Sequence, residues 1–189
     1  MTEPRRSNLI GTIFALSAFL LWGLLPFYWK WLDSVAAAEI LAHRILWAAV
    51  TMLVVVVIAQ RSQLRAAFAD RRAVLTATAA GVLVGVNWFI YIFAVTSERM
   101  VEASLGYYIN PLVSVFLGML FLGERLSRAQ IVAFLLAVSG VVVLTVSYGR
   151  FPWISVALAM SFGVYGLVKK TNRLNSAVSL LIELFLLVP

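Results

Sequence analysis

The 189-residue chain is 63% hydrophobic and only 12% charged, with a net charge of +7 and a mean hydropathy of +0.99; soluble domains carry about 25% charged residues. Without cysteine and with one histidine, it offers no disulfide frame and no thiolate metal site, and nothing in it calls for a cofactor. Its basic residues fall in short clusters between apolar runs rather than along one face, so nucleic acid is excluded as their partner and a lipid bilayer takes its place.

A membrane-spanning helix needs ~20 apolar residues, within a range of ~17–25. Runs of that kind cover 9–29, 35–59, 73–95, 103–122, 129–148 and 153–168, and a seventh begins at 176 and reaches 189. They predict an all-α fold, a polytopic transmembrane helix bundle. Arg5 and Arg6 precede the first run, as they would in a signal peptide. That run is too long for such a peptide, and no small-x-small cleavage site follows among Pro26-Phe27-Tyr28-Trp29-Lys30, so it is an uncleaved span.

Charge sets the expected orientation. With the N-terminus cytoplasmic, the inner segments hold Arg5, Arg6, Arg61, Arg65, Arg71, Arg72, Arg125, Arg128, Lys169, Lys170 and Arg173; the outer loops hold Lys30, Arg99 and Arg150. Eleven basic residues against three is the asymmetry of a cytoplasmic N-terminus. Phe27, Tyr28, Trp29 and Trp31 gather where the first span exits, and Phe151 and Trp153 where the sixth enters, as interfacial aromatic belts do. The longest loop, 60–72, can lie on the inner leaflet as a surface helix through Leu64 and Phe68.

Phe19-Leu20-Leu21-Trp22-Gly23-Leu24 in the first span pairs with Phe162-Gly163-Val164-Tyr165-Gly166-Leu167 in the sixth, and the span after each carries an acid, Glu39 or Glu183. A repeat five spans long reverses its orientation from one copy to the next, the inverted pattern of secondary transporters.

Four spans carry polar groups that lipid does not tolerate. The second holds Glu39, His43 and Arg44, with Glu39, His43 and Trp47 on one helical face. A charge at mid-bilayer costs at least ~2.5–3.5 kcal/mol on insertion scales. The helix enters from outside near Val35, so Glu39 is shallow and His43 and Arg44 lie about two turns in, which suggests an outward-facing vestibule. The third span holds Asn87, Trp88 and Tyr91, and the fourth Ser104, Tyr107, Tyr108, Asn110 and Ser114, with a helix break expected at Pro111. The seventh holds Glu183. Each has a bland reading: Glu39 and His43 as a static pair between helices, Arg44 as a helix lock, the amides and tyrosines as interhelical hydrogen bonds. Against it stands a shared polar cavity, because isolated buried polar groups cost several kcal/mol unless partnered. Gly81 and Gly85 form a small-residue packing face, with Gly118, Gly123 and Gly140 adding others.

Several blocks carry a family resemblance: Trp22-Gly23-Leu24-Leu25-Pro26-Phe27-Tyr28-Trp29-Lys30, Glu39-Ile40-Leu41-Ala42-His43-Arg44-Ile45, Asn87-Trp88-Phe89-Ile90-Tyr91-Ile92, Ala103-Ser104-Leu105-Gly106-Tyr107-Tyr108-Ile109-Asn110-Pro111-Leu112 and Glu124-Arg125-Leu126. In this order they resemble the RarD branch of the EamA-like drug/metabolite transporter superfamily. The resemblance implies a ten-helix permease of the bacterial inner membrane, made of two inverted five-helix repeats and associated with chloramphenicol sensitivity. Residues 1–148 would be one complete repeat and 149–189 the start of a second. On this reading the sequence is truncated, and the missing half or a second copy in a homodimer would complete the cavity.

The leading functional reading is thus a secondary transporter or exporter of a small organic solute. Glu39 and His43 would be proton or ligand groups, and Arg44 a carboxylate anchor or helix lock. Asn87, Trp88, Tyr91, Tyr107, Tyr108, Asn110 and Glu183 would line the pathway. The alternatives are a non-transporting membrane scaffold or inactive fragment, and an intramembrane enzyme, for which no His-Glu-x-x-His or Gly-x-Ser-x-Gly motif is present.

Overall fold

The computed structural model describes residues 3–32, 34–149 and 151–188, with side chains from residue 9 onward. The side chains of Arg5 and Arg6, and residues Arg150 and Pro189, lie outside what is described.

Eight helices make up that part of the chain: α1 (Glu3–Lys30), α2 (Ala37–Ala59), α3 (Arg61–Ala69), α4 (Arg71–Thr96), α5 (Met100–Leu122), α6 (Arg128–Tyr148), α7 (Trp153–Thr171) and α8 (Ser176–Phe185). The polytopic all-α bundle expected from the runs is borne out. Among the described residues five helices are long and apolar enough to cross a membrane: Leu9–Lys30 of α1, then α2, α4, α5 and α6.

The sixth and seventh runs differ from the expectation. α7 ends in Lys169, Lys170 and Thr171, leaving an apolar stretch of about 24 Å at 1.5 Å per residue against a hydrocarbon core of ~30 Å. α8 stops at Phe185 after ten residues, and Leu186 and Leu187 turn out of it. Both are nonetheless packed among the other helices: α7 on α5 and α4, and α8 on α2 and α4.

Local chemistry sets the boundaries. Asp70 caps α4, its Oδ1 accepting from the backbone N–H of Arg72 and Ala73 at 3.0 and 3.1 Å, and Ser127 with Gln130 forms a capping box on α6. Gly123 and Gly149 end α5 and α6 at φ 67° and 72°, the left-handed conformation that glycine adopts without Cβ strain. Gly123 is therefore a terminator rather than a packing glycine. The expectation of a break at Pro111 is corrected: α5 runs through it. Proline removes one donor, toward the Tyr107 carbonyl, and membrane helices tolerate that loss where neighbouring helices support them.

Contacts fix which ends share a face. Trp29 packs with Ile92 and Val95, placing the end of α1 beside the end of α4. Ser155 Oγ donates to the Glu102 carbonyl at 2.6 Å, placing the start of α7 beside the start of α5. At the opposite face Val56, Ala67, Ala77, Val178 and Leu181 join α2, α3, α4 and α8. We call these the α1–α2 face and the α3 face. On the latter, α3 buries Ala67 and half-buries Leu64, and leaves Phe68 exposed.

Gly81 and Gly85 do pack closely, as expected. A Cβ at Gly81 would sit 3.0 Å from the Glu183 carbonyl oxygen, and one at Gly85 3.0 Å from Leu187 Cδ1. α1 and α6 lie at the flanks with most of their apolar side chains exposed, as helices facing lipid or further helices do.

Candidate functional site

Two connected lobes open between the helices. The one nearer the α1–α2 face, about 560 Å³, is lined by Tyr28, Trp29, Glu39, His43, Arg44 and Trp47 among others. The deeper one, about 440 Å³, is lined by Phe19, Trp22, Gly23, Leu25, Pro26, Trp29, Arg44, Asn87, Trp88, Tyr91, Tyr107 and Phe162. Both fall within the ~300–1,000 Å³ of pockets that take small organic ligands. Leu25, Trp29 and Arg44 belong to both, so Arg44 stands at the joint.

The sequence builds this joint from three helices. Arg44 comes from α2, Trp29 from the end of α1 and Trp88 from mid-α4. The Arg44 guanidinium carbon lies 4.0 Å from the Trp88 ring centre and 5.4 Å from that of Trp29. Trp29 continues edge-on to Tyr91 at 5.2 Å, and Tyr91 edge-on to Tyr107 at 5.5 Å. A cation over an aromatic face gains ~0.5–1 kcal/mol when exposed and ~2 when desolvated. Two such faces therefore offset a charge of the cost quoted above. They leave the guanidinium edges unused: among the described residues no carboxylate or hydrogen-bond acceptor engages Arg44.

The other expected residues fall into distinct groups. Glu39 and His43 line the outer lobe and are exposed. Asn87 borders the deep lobe but serves as a tie, its Nδ2 donating to the Leu158 carbonyl at 3.0 Å and to Ser161 Oγ at 2.9 Å on α7. Asn110 adjoins Asn87 and Tyr107 across a void of about 10 Å³, and its buried Oδ1 accepts no hydrogen bond.

Two expected residues lie elsewhere. Tyr108, turned about 100° around α5 from Tyr107, lines a separate groove of about 390 Å³ with Glu102, Leu144 and Tyr148. Glu183 is wholly buried between α7 and α8. It accepts from Lys169 Nζ at 2.7 Å, Ser179 Oγ at 2.7 Å and Tyr165 OH at 3.3 Å.

Sequence reasoning missed a second buried acid. Glu102 is 1% exposed; it accepts from Arg99 Nε at 2.9 Å and Tyr148 OH at 3.1 Å. The i, i+3 spacing of Arg99 and Glu102 was the available signal. Trp29, expected as an interfacial anchor, is 4% exposed and forms a wall of both lobes. Phe162, expected only as part of the repeat, shares the deep lobe with its counterpart Phe19.

The sequence model of the EamA-like transporter family matches residues 9–146. The chain is 45% identical over 184 residues to the uncharacterized transporter YojE of Bacillus subtilis, covering 95% of this chain and 61% of that one. It is 47% identical over 175 residues to protein RarD of Streptomyces exfoliatus, covering 92% and 55%. Against protein RarD of Escherichia coli it is 42% identical over 180 residues, covering 95% and 61%. The chain thus spans about three fifths of the length of these relatives. No solved structure matches it.

Proposed function

The chain belongs to the EamA-like transporter family, as its resemblance to the RarD branch implied, and on that premise we propose that it forms part of a secondary permease exporting a small organic solute from a bacterial cell. Residues 1–148 are the first inverted repeat and 149–189 the start of the second. The N-terminus is cytoplasmic, which makes the α1–α2 face extracellular, and the remainder of a longer protein or a second copy closes the cavity.

The observation that carries this reading is the pair of connected lobes in an otherwise apolar bundle, with Arg44 at their joint and no carboxylate or hydrogen-bond acceptor engaging it among the described residues. A half-buried charge left without bonds in an apolar bundle points to a functional pathway by default. In this reading the solute rests in the deep lobe against Trp88, Tyr91 and Tyr107. Glu39 and His43 form the outer mouth, which opens to the extracellular side while the inner side is shut. Alternating access then requires the inner side to open, where Lys170 Nζ of α7 meets Glu124 Oε1 at 2.8 Å and Lys169 meets Glu183.

The test is flux. Everted vesicles from cells expressing the complete protein should accumulate labelled solute, chloramphenicol among the candidates, in a gradient-dependent way, and Arg44→Gln should abolish it. Accumulation that is the same in empty-vector vesicles, or that Arg44→Gln, Glu39→Gln and His43→Ala all leave intact, would sink the assignment.

A further inference from the structure

Among the polar groups of the deep lobe, Arg44 is the single formal charge. Seven of the twelve lining residues are aromatic, and none is acidic. The guanidinium carbon lies over two tryptophan rings, and such ring contacts do not use up its N–H donors. A helix lock would direct those donors at carbonyl oxygens of a neighbouring helix. Among the described residues Arg44 meets no such acceptor, and the hydroxyls of Tyr91 and Tyr107, chained to Trp29 by ring contacts, also have no hydrogen-bond partner. Three donor groups therefore border one largely aromatic chamber, and among the described residues none of them is hydrogen-bonded there.

We propose that the deep lobe is a site for an organic anion, a planar carboxylate on an aromatic or apolar body. The carboxylate lies in the plane of the Arg44 fork and takes both edge donors, the geometry that arginine matches and lysine does not. The body packs among Trp22, Trp88 and Phe162. A cation is disfavoured, because it would meet the guanidinium with no acid in the lobe to compensate. Glu39, further out on the same helix, places a like charge for the anion at the outer mouth, so the anion is held beside Arg44 and not at the mouth. This inference rests on the permease reading and names the solute class that the same cavity takes.

Matched probes test it in the wild-type protein, before any variant. Phenylpropionate, phenylpropionamide and phenylpropylamine share a body and differ in the charge of the head group. Isothermal titration into the purified complete protein in nanodiscs, at neutral pH, should rank them anion, amide, amine. The anion should bind about ten- to a hundred-fold tighter than the amide, the range of a charge-assisted hydrogen-bond pair. Arg44→Gln should bring anion and amide to within about threefold of each other while leaving amide binding in place. Arg44→Lys should restore only part of the gap. Equal binding of anion and amide overturns the anion assignment while leaving the cavity as a solute site. Tightest binding of the amine overturns it with the opposite sign. Binding of none of the three at millimolar concentration overturns both this assignment and the cavity as a site for aromatic solutes.

Discussion

Lys169 and Arg44 each carry a positive charge into an apolar bundle, near opposite faces. Lys169 is answered by bonds: its ammonium reaches Glu183 at 2.7 Å and Ser179 Oγ at 2.9 Å, and Glu183 also takes the Ser179 and Tyr165 hydroxyls. Arg44 is answered by two tryptophan faces alone. Their acidic companions differ in the same way, although each lies in the apolar run that follows one of the two similar blocks at Phe19 and Phe162. Glu183 is 0% exposed and saturated, while Glu39 is exposed and holds no side-chain hydrogen bond among the described residues. A saturated polar cluster holds helices together, since any rearrangement must first break it. An unsaturated one lining a cavity keeps its donors for something that arrives.

The largest effect should come from breaking the saturated cluster. Glu183→Gln leaves a lysine facing a neutral amide between α7 and α8, and removing one partner of a buried ion pair costs about 3–5 kcal/mol. Thermal unfolding in detergent should show the loss, and Lys169→Met combined with Glu183→Leu should recover most of it, because the pair is removed as a unit. Recovery of nothing by the double variant would mean that Glu183 acts through the Tyr165 and Ser179 hydroxyls instead.

Gly81→Ala tests the same seam from the other side. The added methyl would meet the Glu183 carbonyl oxygen at 3.0 Å and its Cα at 3.1 Å. These are backbone atoms that cannot rotate away, so α8 must shift and stability should fall by about 1–3 kcal/mol. Gly140→Ala, with nothing within 4 Å of the new methyl, is the control and should be neutral.

Much of this comparison was legible in the sequence, and its limits are physical. Apolar length and loop charge predicted the five long helices, because burying backbone in lipid leaves few alternatives to a helix. Phe19 and Phe162 border one cavity. What could not be read was which polar residue faces which. Tyr107 and Tyr108 are neighbours in sequence, yet about 100° of helical rotation sends one to the cavity and the other to a separate groove. Asn87 resembled a solute ligand until α7 packed beside it and took both of its amide donors. Trp29 resembled a belt residue until α4 covered it. Each of these depends on how one helix packs against another, and periodicity within one helix holds no information on that.

A smaller change should follow on the unsaturated side. Trp88→Leu removes the closer of the two faces over Arg44, and the lost cation–π contact is about 1–2 kcal/mol. Stability should fall by roughly that much. Because the remaining face of Trp29 is at 5.4 Å, Arg44 should also become more mobile, weakening solute binding beyond what the lost apolar surface explains. An equal loss of affinity for charged and neutral probes would show that Trp88 serves as wall only, without orienting the guanidinium.

The smallest expected change in stability is the one that discriminates most. Glu39→Gln and His43→Ala alter exposed side chains that hold no hydrogen bond among the described residues, so each should leave unfolding within about 0.5 kcal/mol of wild type. A static pair pinning α1 to α2 would instead couple the two residues, and the double variant would then depart from the sum of the singles. If they form the mouth of a pathway, stability stays put while flux changes, and Glu39→Gln should speed the passage of an anion by removing the like charge it passes. Measured together on one preparation, unchanged unfolding with altered flux keeps the two regions distinct in kind. Coupled destabilisation with unaltered flux would make the outer cluster a second scaffold of the Lys169–Glu183 type.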